Sequence, residues 1–297
     1  MLAVSIPALA LTLACAIAFA ASDYYRKVAS ASIPSTTLLT IFVVGQVPLL
    51  GAWMVVTDSF SLNTEYWPIG LATALTSLFA NLFFIMALRT SSLSLTVPVL
   101  ALAPVLTTVF GAVALNEIPS NQQIMGILVS VIGLMWLYLP EGNPRIAAVF
   151  KRFATDKGAR YMLAVALLWS ATAPLDKTSV QLSSPATHAF IQVCLISATM
   201  IVHLFMFRQT ASVATIRDAA TPAALASLSA GIAYGCQLVA YQLTLIGVVE
   251  SLKRVIGLLS ALILGRILLN EPMTKHKLVG IVLLAVGVPL IILPPLL

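Results

Sequence analysis

A stretch near the middle of the chain returns at its end. Leu115 opens LNEIPSNQQIMGILVSVIGLMWLYLP, and Leu269 opens LNEPMTKHKLVGIVLLAVGVPLIILP at a fixed offset. Asn116 and Asn270, Glu117 and Glu271, Gly126 and Gly280, Gly133 and Gly287, and Pro140 and Pro294 are identical. At an offset close to this, Phe19 to Lys27 (FAASDYYRK) faces Trp169 to Lys177 (WSATAPLDK). Self-similarity of this kind marks two copies of one structural unit. The chain must therefore fold as a duplication.

Composition names the solvent. Apolar residues make up 60% of the chain, charged residues only 9%, and mean hydropathy is +1.03. Soluble domains carry roughly 25% charged residues, so this chain belongs in a bilayer. Its excess of basic residues, +6 overall, is scattered over short connections. That reads as topogenic charge and excludes a nucleic-acid surface. Cys15, Cys194 and Cys236 lie in apolar runs without metal or redox spacing and read as small buried hydrophobes.

Crossing a hydrocarbon core takes about 20 apolar residues. Ten runs qualify, near 2–22, 33–56, 67–88, 93–115, 121–140, 160–180, 186–207, 222–246, 249–269 and 276–297. The first lacks a basic residue ahead of it and reads as a retained helix, not a signal peptide. The expected fold is an all-α membrane protein: ten transmembrane helices as two inverted five-helix repeats. Five spans per copy is an odd number, so the second copy inserts upside down, with a site near midplane between the halves. The expected boundaries are 1–140 for the first repeat, 141–160 for the connecting loop and 161–297 for the second repeat. Pro98 and Pro104 in the fourth segment and Pro174 in the sixth are candidates for kinks.

The connections after odd-numbered segments hold Arg26, Lys27, Arg89, Arg145, Lys151, Arg152, Lys157, Arg160, Arg208, Arg217, Lys275 and Lys277. Those after even-numbered segments hold at most Lys177, Lys253 and Arg254. The positive-inside rule puts the first set in the cytoplasm and both termini outside.

Charges and polar groups at membrane depth mark candidate sites, because each costs about 2.5–3.5 kcal/mol there on insertion scales unless paired or facing water. Lys253 and Arg254 are adjacent on the ninth segment, with Glu250 one turn before and Gly257 and Ala261 after. Arginine offers a planar fork for carboxylate or phosphate, and lysine a mobile point charge. The bland alternative is a pair of interfacial anchors paired with Glu250. Lys27 and Lys177 hold equivalent places in the two copies. Asp23 and Lys27 have helical ion-pair spacing, whereas Asp176 cannot share a face with Lys177. Asn81 and Gln237 lie in equivalent third helices, and with Tyr234 and Tyr241 they either line a pathway or bond between helices. Gln46, His188, Gln192, His203 and Gln242 complete the intramembrane polar set. Phe19 and Trp169 sit on equivalent turns, where packing is the expected role.

The duplicated ten spans, the closing (G/N)E-P-like loops and the G-x6-G spacing of segments five and ten resemble the EamA-like branch of the drug/metabolite transporter superfamily. The resemblance covers nearly the whole chain. It implies secondary transport of small metabolites with no ATP site, and both termini in the cytoplasm, opposite to the charge count. A narrower resemblance lies in LKRVIGLLSALILG, Leu252 to Gly265, which is similar to the corresponding helix of plastid triose-phosphate/phosphate translocators. It implies that Lys253 and Arg254, with Lys177 in support, grip an anionic group. The tyrosine that would contact the substrate is either Tyr234 or Tyr241, because the connection from Tyr241 to Lys253 is shorter than in that family.

The expected activity is alternating-access transport, with exchange as one mode, of a small phosphorylated or carboxylated metabolite through an integral, multi-pass protein of the cell (inner) membrane. The substrate-binding set is Lys177, Lys253, Arg254, Tyr234, Gln237, Tyr241 and Asn81. The partners are that small molecule and the lipid bilayer; no nucleic acid is expected, and the oligomeric state stays open. Export of amino acids or amphipathic drugs is the alternative within transport, and a membrane enzyme or scaffold the alternative outside it. His188, His203 and His276 lack metal-site spacing, and no nucleophile elbow or phosphate loop appears, so no catalytic residue, metal or cofactor is expected.

Overall fold

Apolar side chains on every face and a backbone that must satisfy itself without water leave helices as the only way across a bilayer here. A computed structural model describes residues 4–57, 59–90, 99–137, 156–207, 216–217, 219–269 and 275–293, without the side chains of 137, 258–269 and 275–278. In chain order the helices are α1 (Ile6–Ser30), α2 (Ser35–Val44), α3 (Val47–Val56), α4 (Tyr66–Thr90), α5 (Ala103–Leu115) and α6 (Asn121–Leu137). The second half holds α7 (Lys157–Gln181), α8 (Pro185–Phe207), α9 (Ala220–Leu243), α10 (Ile246–Leu269) and α11 (Lys275–Ile292). Five segments (α1, α2 with α3, α4, α8 and α9) are long and apolar enough to span by themselves. The described parts of α5, α6 and α11 are shorter apolar helices. The remaining two, α7 and α10, are the ones that carry Asp176, Lys177, Glu250, Lys253 and Arg254.

Caps fix the helix starts. Ser120 and Gln123 form a reciprocal capping box at α6, Gln123 N donating to Ser120 Oγ at 3.2 Å and Ser120 N to Gln123 Oε1 at 3.0 Å. Asp156 Oδ1 accepts from Ala159 N at 2.8 Å at α7. Hydroxyls inside the spans bond back to their own helix, as Thr12 does to Ala8 O at 2.7 Å and Thr73 to Ile69 O at 2.8 Å. Polar side chains are thereby hidden within otherwise apolar helices.

Three local expectations need correction. The second segment is broken at Gly45–Gln46, because Pro48 opens α3 and has no N–H for the turn before it. Gln46 Nε2 donates to the freed Phe42 O at 2.9 Å. Pro104 stands in the first turn of α5, after a turn at Ala101–Leu102 that parts it from the helical Val99–Leu100, so the expected kink is a full break in the fourth segment. Asp23 pairs with Arg26 at 2.5 Å, not with Lys27. Pro174 lies inside α7, as its sequence position suggests. Pro98, Pro140, Pro294, Asn270, Glu271, the segment 141–155 and Arg208 lie outside the described residues.

The two halves are inverted copies that interleave. Val4 N donates to Ile292 O at 3.3 Å, and Asn63 N to Leu182 O at 2.9 Å, so both chain ends and the α3–α4 and α7–α8 turns share one face, here called the terminal face. The largest helix pairings are α1 with α9, α4 with α7, and α6 with α11. The first two exchange into one another when the halves are swapped, and the third maps onto itself.

The repeated glycines explain that third pairing. A side chain on Gly126 would put its Cβ 2.8 Å from Gly287 O, and one on Gly133 would come 3.1 Å from Gly280 O. The four glycines therefore let α6 and α11 cross with backbones in contact about the pseudo-twofold axis. Gly126→Val should cost about 1–3 kcal/mol, the usual range for overpacking, because its neighbour is backbone and cannot yield. Gly257→Ala, whose Cβ meets nothing nearer than Ala16 O at 4.0 Å, should leave stability unchanged. Thermal unfolding of both variants in detergent reads the difference; equal behaviour would remove the packing role of the repeat.

Candidate functional site

Among the described residues, polar side chains at membrane depth gather in four places, three of them nearer the terminal face. The first is on α10. Lys253 lies seven residues into that helix, so about 10 Å from its start at 1.5 Å per residue. Its Nζ pairs with Glu250 Oε1 and donates to Gln237 Oε1 on α9 at 2.7 Å. Tyr241 OH donates to the same Glu250 oxygen at 2.7 Å. Lys253 also stands 5.1 Å over the ring of Phe19 on α1.

Arg254 turns the other way. Its guanidinium lies 6.0 Å from the Trp169 ring on α7, and its Nε is buried with no hydrogen-bond partner. Among the described residues it has no carboxylate partner. Phe19 and Trp169 are the equivalent aromatics of the two copies, so the adjacent cations each approach one of a matching pair of rings. Cation–aromatic contacts of this kind contribute about 0.5–2 kcal/mol. Packing alone does not describe these two rings.

The second place is the joint between the halves. Glu117 Oε1 pairs with Lys177 Nζ at 2.5 Å, and Glu117 Oε2 accepts from Ile246 N, the first residue of α10, at 2.8 Å. A carboxylate there suits the positive end of that helix. Asn116 makes this possible: its left-handed conformation (φ 54°) ends α5 and turns the next residue back. The first LNE, Leu115 to Glu117, is thus a helix end, a reversal and a carboxylate. Lys177 also donates to Thr244 O at the end of α9 at 3.0 Å. Its counterpart Lys27 donates to Leu88 O at the end of α4 at 2.6 Å. Equivalent lysines thus do equivalent work, each reaching a carbonyl at the C-terminal end of the third span of its own half.

The third place is a buried network around Asp176, His188, Tyr66, Tyr234 and Gln192, spanning α7, α8, α4 and α9. Sequence alone marks His188 and Gln192 only as polar residues in a span; their grouping depends on helices meeting. The fourth lies toward the opposite face. Arg26, 2% exposed, bonds Asp23 and donates to Asn81 Oδ1 at 3.0 Å, sandwiched between Phe42 and Phe84 at 4.8 and 4.4 Å.

The residues singled out from sequence are therefore distributed. Lys253 and Tyr241 meet through the Glu250 carboxylate and Gln237 accepts from Lys253, with Arg254 next in sequence. Tyr234 bonds Asp176 at 3.0 Å, Lys177 holds Glu117, and Asn81 holds Arg26. Asn81 and Gln237, equivalent in the two copies, each accept from a cation of a neighbouring helix. Sequence reasoning did not single out Glu117 or Arg26 for these contacts. Glu117 had a signal in the repeated LNE, and Arg26 had one as a charge beside an apolar span.

Comparison with known proteins bears on the family and the fold. The profile of the EamA-like transporter family matches residues 6–139 and again 156–293. A solved crystal structure, titled only as that of a protein, superposes with a TM-score of 0.74 at 14% identity, covering 95% of each chain; at that identity the likeness shows the fold alone. No curated protein matches. Nothing in these findings extends to the triose-phosphate translocators.

Proposed function

The chain belongs to the EamA-like transporter family, and from that premise we propose that it carries a small anionic metabolite across the cell membrane by alternating access. It is a multi-pass membrane protein and a transporter of the drug/metabolite type. The anion would lie against Arg254 and Lys253, with Gln237 and Tyr241 contacting the rest of the substrate. Lys177, Tyr234 and Asn81 would act through the contacts that hold the surrounding helices.

One observation carries this reading: the guanidinium of Arg254 lies seven to eight residues inside α10, 6.0 Å from the Trp169 ring, with a buried Nε that bonds no group among the described residues. A cation so placed is expensive unless something pairs with it, and its planar fork suits a carboxylate or a phosphate. With Glu250 set against Lys253 and Arg254, the site holds one net positive charge. A singly charged carboxylate neutralises that charge, whereas a doubly charged phosphate overshoots it. Exchange of one anion for another suits such a site, since an arriving anion replaces the departing one without leaving Arg254 bare.

A second reading has its own support. Glu250 and Arg254 present both signs within one turn, which also suits a zwitterion such as an amino acid. A thermal-shift screen separates the cases, because a ligand that binds the folded protein stabilises it by mass action. The anion reading expects carboxylates or phosphates to raise the melting temperature, and analogues with an added amine to do no better. If only zwitterions stabilise the protein, the second reading replaces the first. If nothing anionic does so, the site assignment fails.

The positive-inside count puts the termini outside. Fusions of alkaline phosphatase and of a fluorescent protein to the C-terminus test it: an active phosphatase and a dark fluorophore are expected, and the reverse would refute the count.

A further inference from the structure

One buried cluster of titratable groups takes no part in the anion site. His188 is completely buried and Asp176 is 2% exposed, and His188 Nε2 lies 3.0 Å from Asp176 Oδ1. Tyr234 OH donates to the same oxygen at 3.0 Å. On the other side of the ring, the Tyr66 hydroxyl lies 2.8 Å from Nδ1. Gln192 Nε2 donates to Tyr66 OH at 3.3 Å and to Gly70 O at 2.9 Å.

One arrangement of protons uses every donor: Nδ1 is the acceptor that the Tyr66 hydroxyl meets, so the hydroxyl proton is assigned there. An imidazole that accepts at Nδ1 and is neutral carries its own proton on Nε2 and donates it to Asp176. Every bond is then made, with one negative charge on Asp176 and no cation within the network to offset it. Lys177, next in sequence, is held by Glu117 and Thr244 O. From the helices packed around the pair, α4 and α9 bring Tyr66, Tyr234 and Tyr241, the last bound to Glu250. Helix α10 brings Glu250, Lys253 and Arg254, and α2, α3 and α5 carry no titratable side chain. A buried charge without a partner is costly, and one proton removes it. Once Nδ1 bears a proton it donates to the Tyr66 oxygen, which has a second lone pair beside the one that accepts from Gln192.

We infer that the Asp176–His188 pair is a proton-binding site that couples proton movement to substrate movement. The proton comes from water on the open side and forms an N–H bond at His188 Nδ1. The pair becomes imidazolium and carboxylate, neutral in sum, and deprotonation reverses the step. The network fastens α4 of the first half to α7, α8 and α9 of the second, near the terminal face. The neutral pair favours that face closed, and opening it gives the proton to water. Differential proton affinity between two conformations is what coupling requires. The transport consequence rests on the function proposed above; the proton site itself does not.

Two measurements on the full chain in lipid test this. Infrared difference spectra between acidic and alkaline buffer, without substrate, should show a protonation signal in wild type and in Arg254→Ala that is absent from His188→Gln and Asp176→Asn. A signal that persists unchanged in both of the latter variants overturns the site. In anion-loaded vesicles, an imposed pH gradient should raise net uptake several-fold in wild type. It should have no effect in His188→Gln, which keeps exchange at equal pH. Exchange without a gradient effect in wild type overturns the coupling and leaves the anion reading standing. Absence of exchange for any anion overturns the anion reading, and the infrared measurement still decides the proton site. Should His188→Gln fail to fold, Tyr66→Phe removes only the partner of Nδ1 and should displace the pH profile of the infrared signal; an unmoved profile counts against the inference.

Discussion

Arg254→Ala is expected to abolish stabilisation of the purified protein by carboxylate ligands and to lower anion exchange by about ten- to a hundredfold. A charge-assisted contact contributes roughly 1.5–3 kcal/mol, and each 1.4 kcal/mol is tenfold in affinity. The fold should tolerate the change, because among the described residues Arg254 forms no ion pair whose loss would leave a bare carboxylate. Lys253→Ala differs in this respect: it strips Glu250 of its partner and should destabilise the protein as well as weaken binding. Arg254→Lys keeps the charge but loses the planar fork, so it should recover only part of the activity. Ligand titrations by thermal shift, on all three variants, give the comparison. An Arg254→Ala protein that binds anions as wild type does would place the site elsewhere.

Glu117→Ala should have the largest effect on stability, about 3–5 kcal/mol, the usual cost of removing one member of a buried ion pair. The side chains of Glu117 and Lys177 are only 11% and 14% exposed, and the change also removes the acceptor for Ile246 N at the start of α10. The double variant Glu117→Met with Lys177→Met should be more stable than Glu117→Ala, since it removes both charges together. A double-mutant cycle with single substitutions gives the coupling directly. Additive single effects would mean that the pair does not join the halves.

The sequence contains the architecture in its apolar periodicity and its repeat. Odd spans per copy force inversion, and the shared glycines foretell one close crossing, although only the structure shows that Gly126 meets Gly287 and Gly133 meets Gly280. The break in the second span was legible too, in Pro48, but a proline at a helix start and one at a kink look alike until the neighbouring turn is seen. Partner choice was not legible. Asp23 has lysine at helical ion-pair spacing and still selects Arg26, because Lys27 is drawn to the carbonyl end of α4. Asp176 sits beside Lys177 in sequence yet bonds His188 and Tyr234. Such choices depend on which helices touch, and side-chain spacing along one helix does not contain that information.

The interleaving of the halves also sets the order of events at birth. Ser22 Oγ on α1 donates to Ala226 O on α9, 204 residues further along the chain. At about 5–20 residues per second, the first helix is made some 10–40 s before the helix it packs against. During that interval α1, and for a shorter time α4, must wait in the membrane, or in the insertion machinery, with faces built for α9 and α7 turned to lipid. A nascent chain halted after the first repeat would therefore be a substrate for quality control, and not half of a working protein.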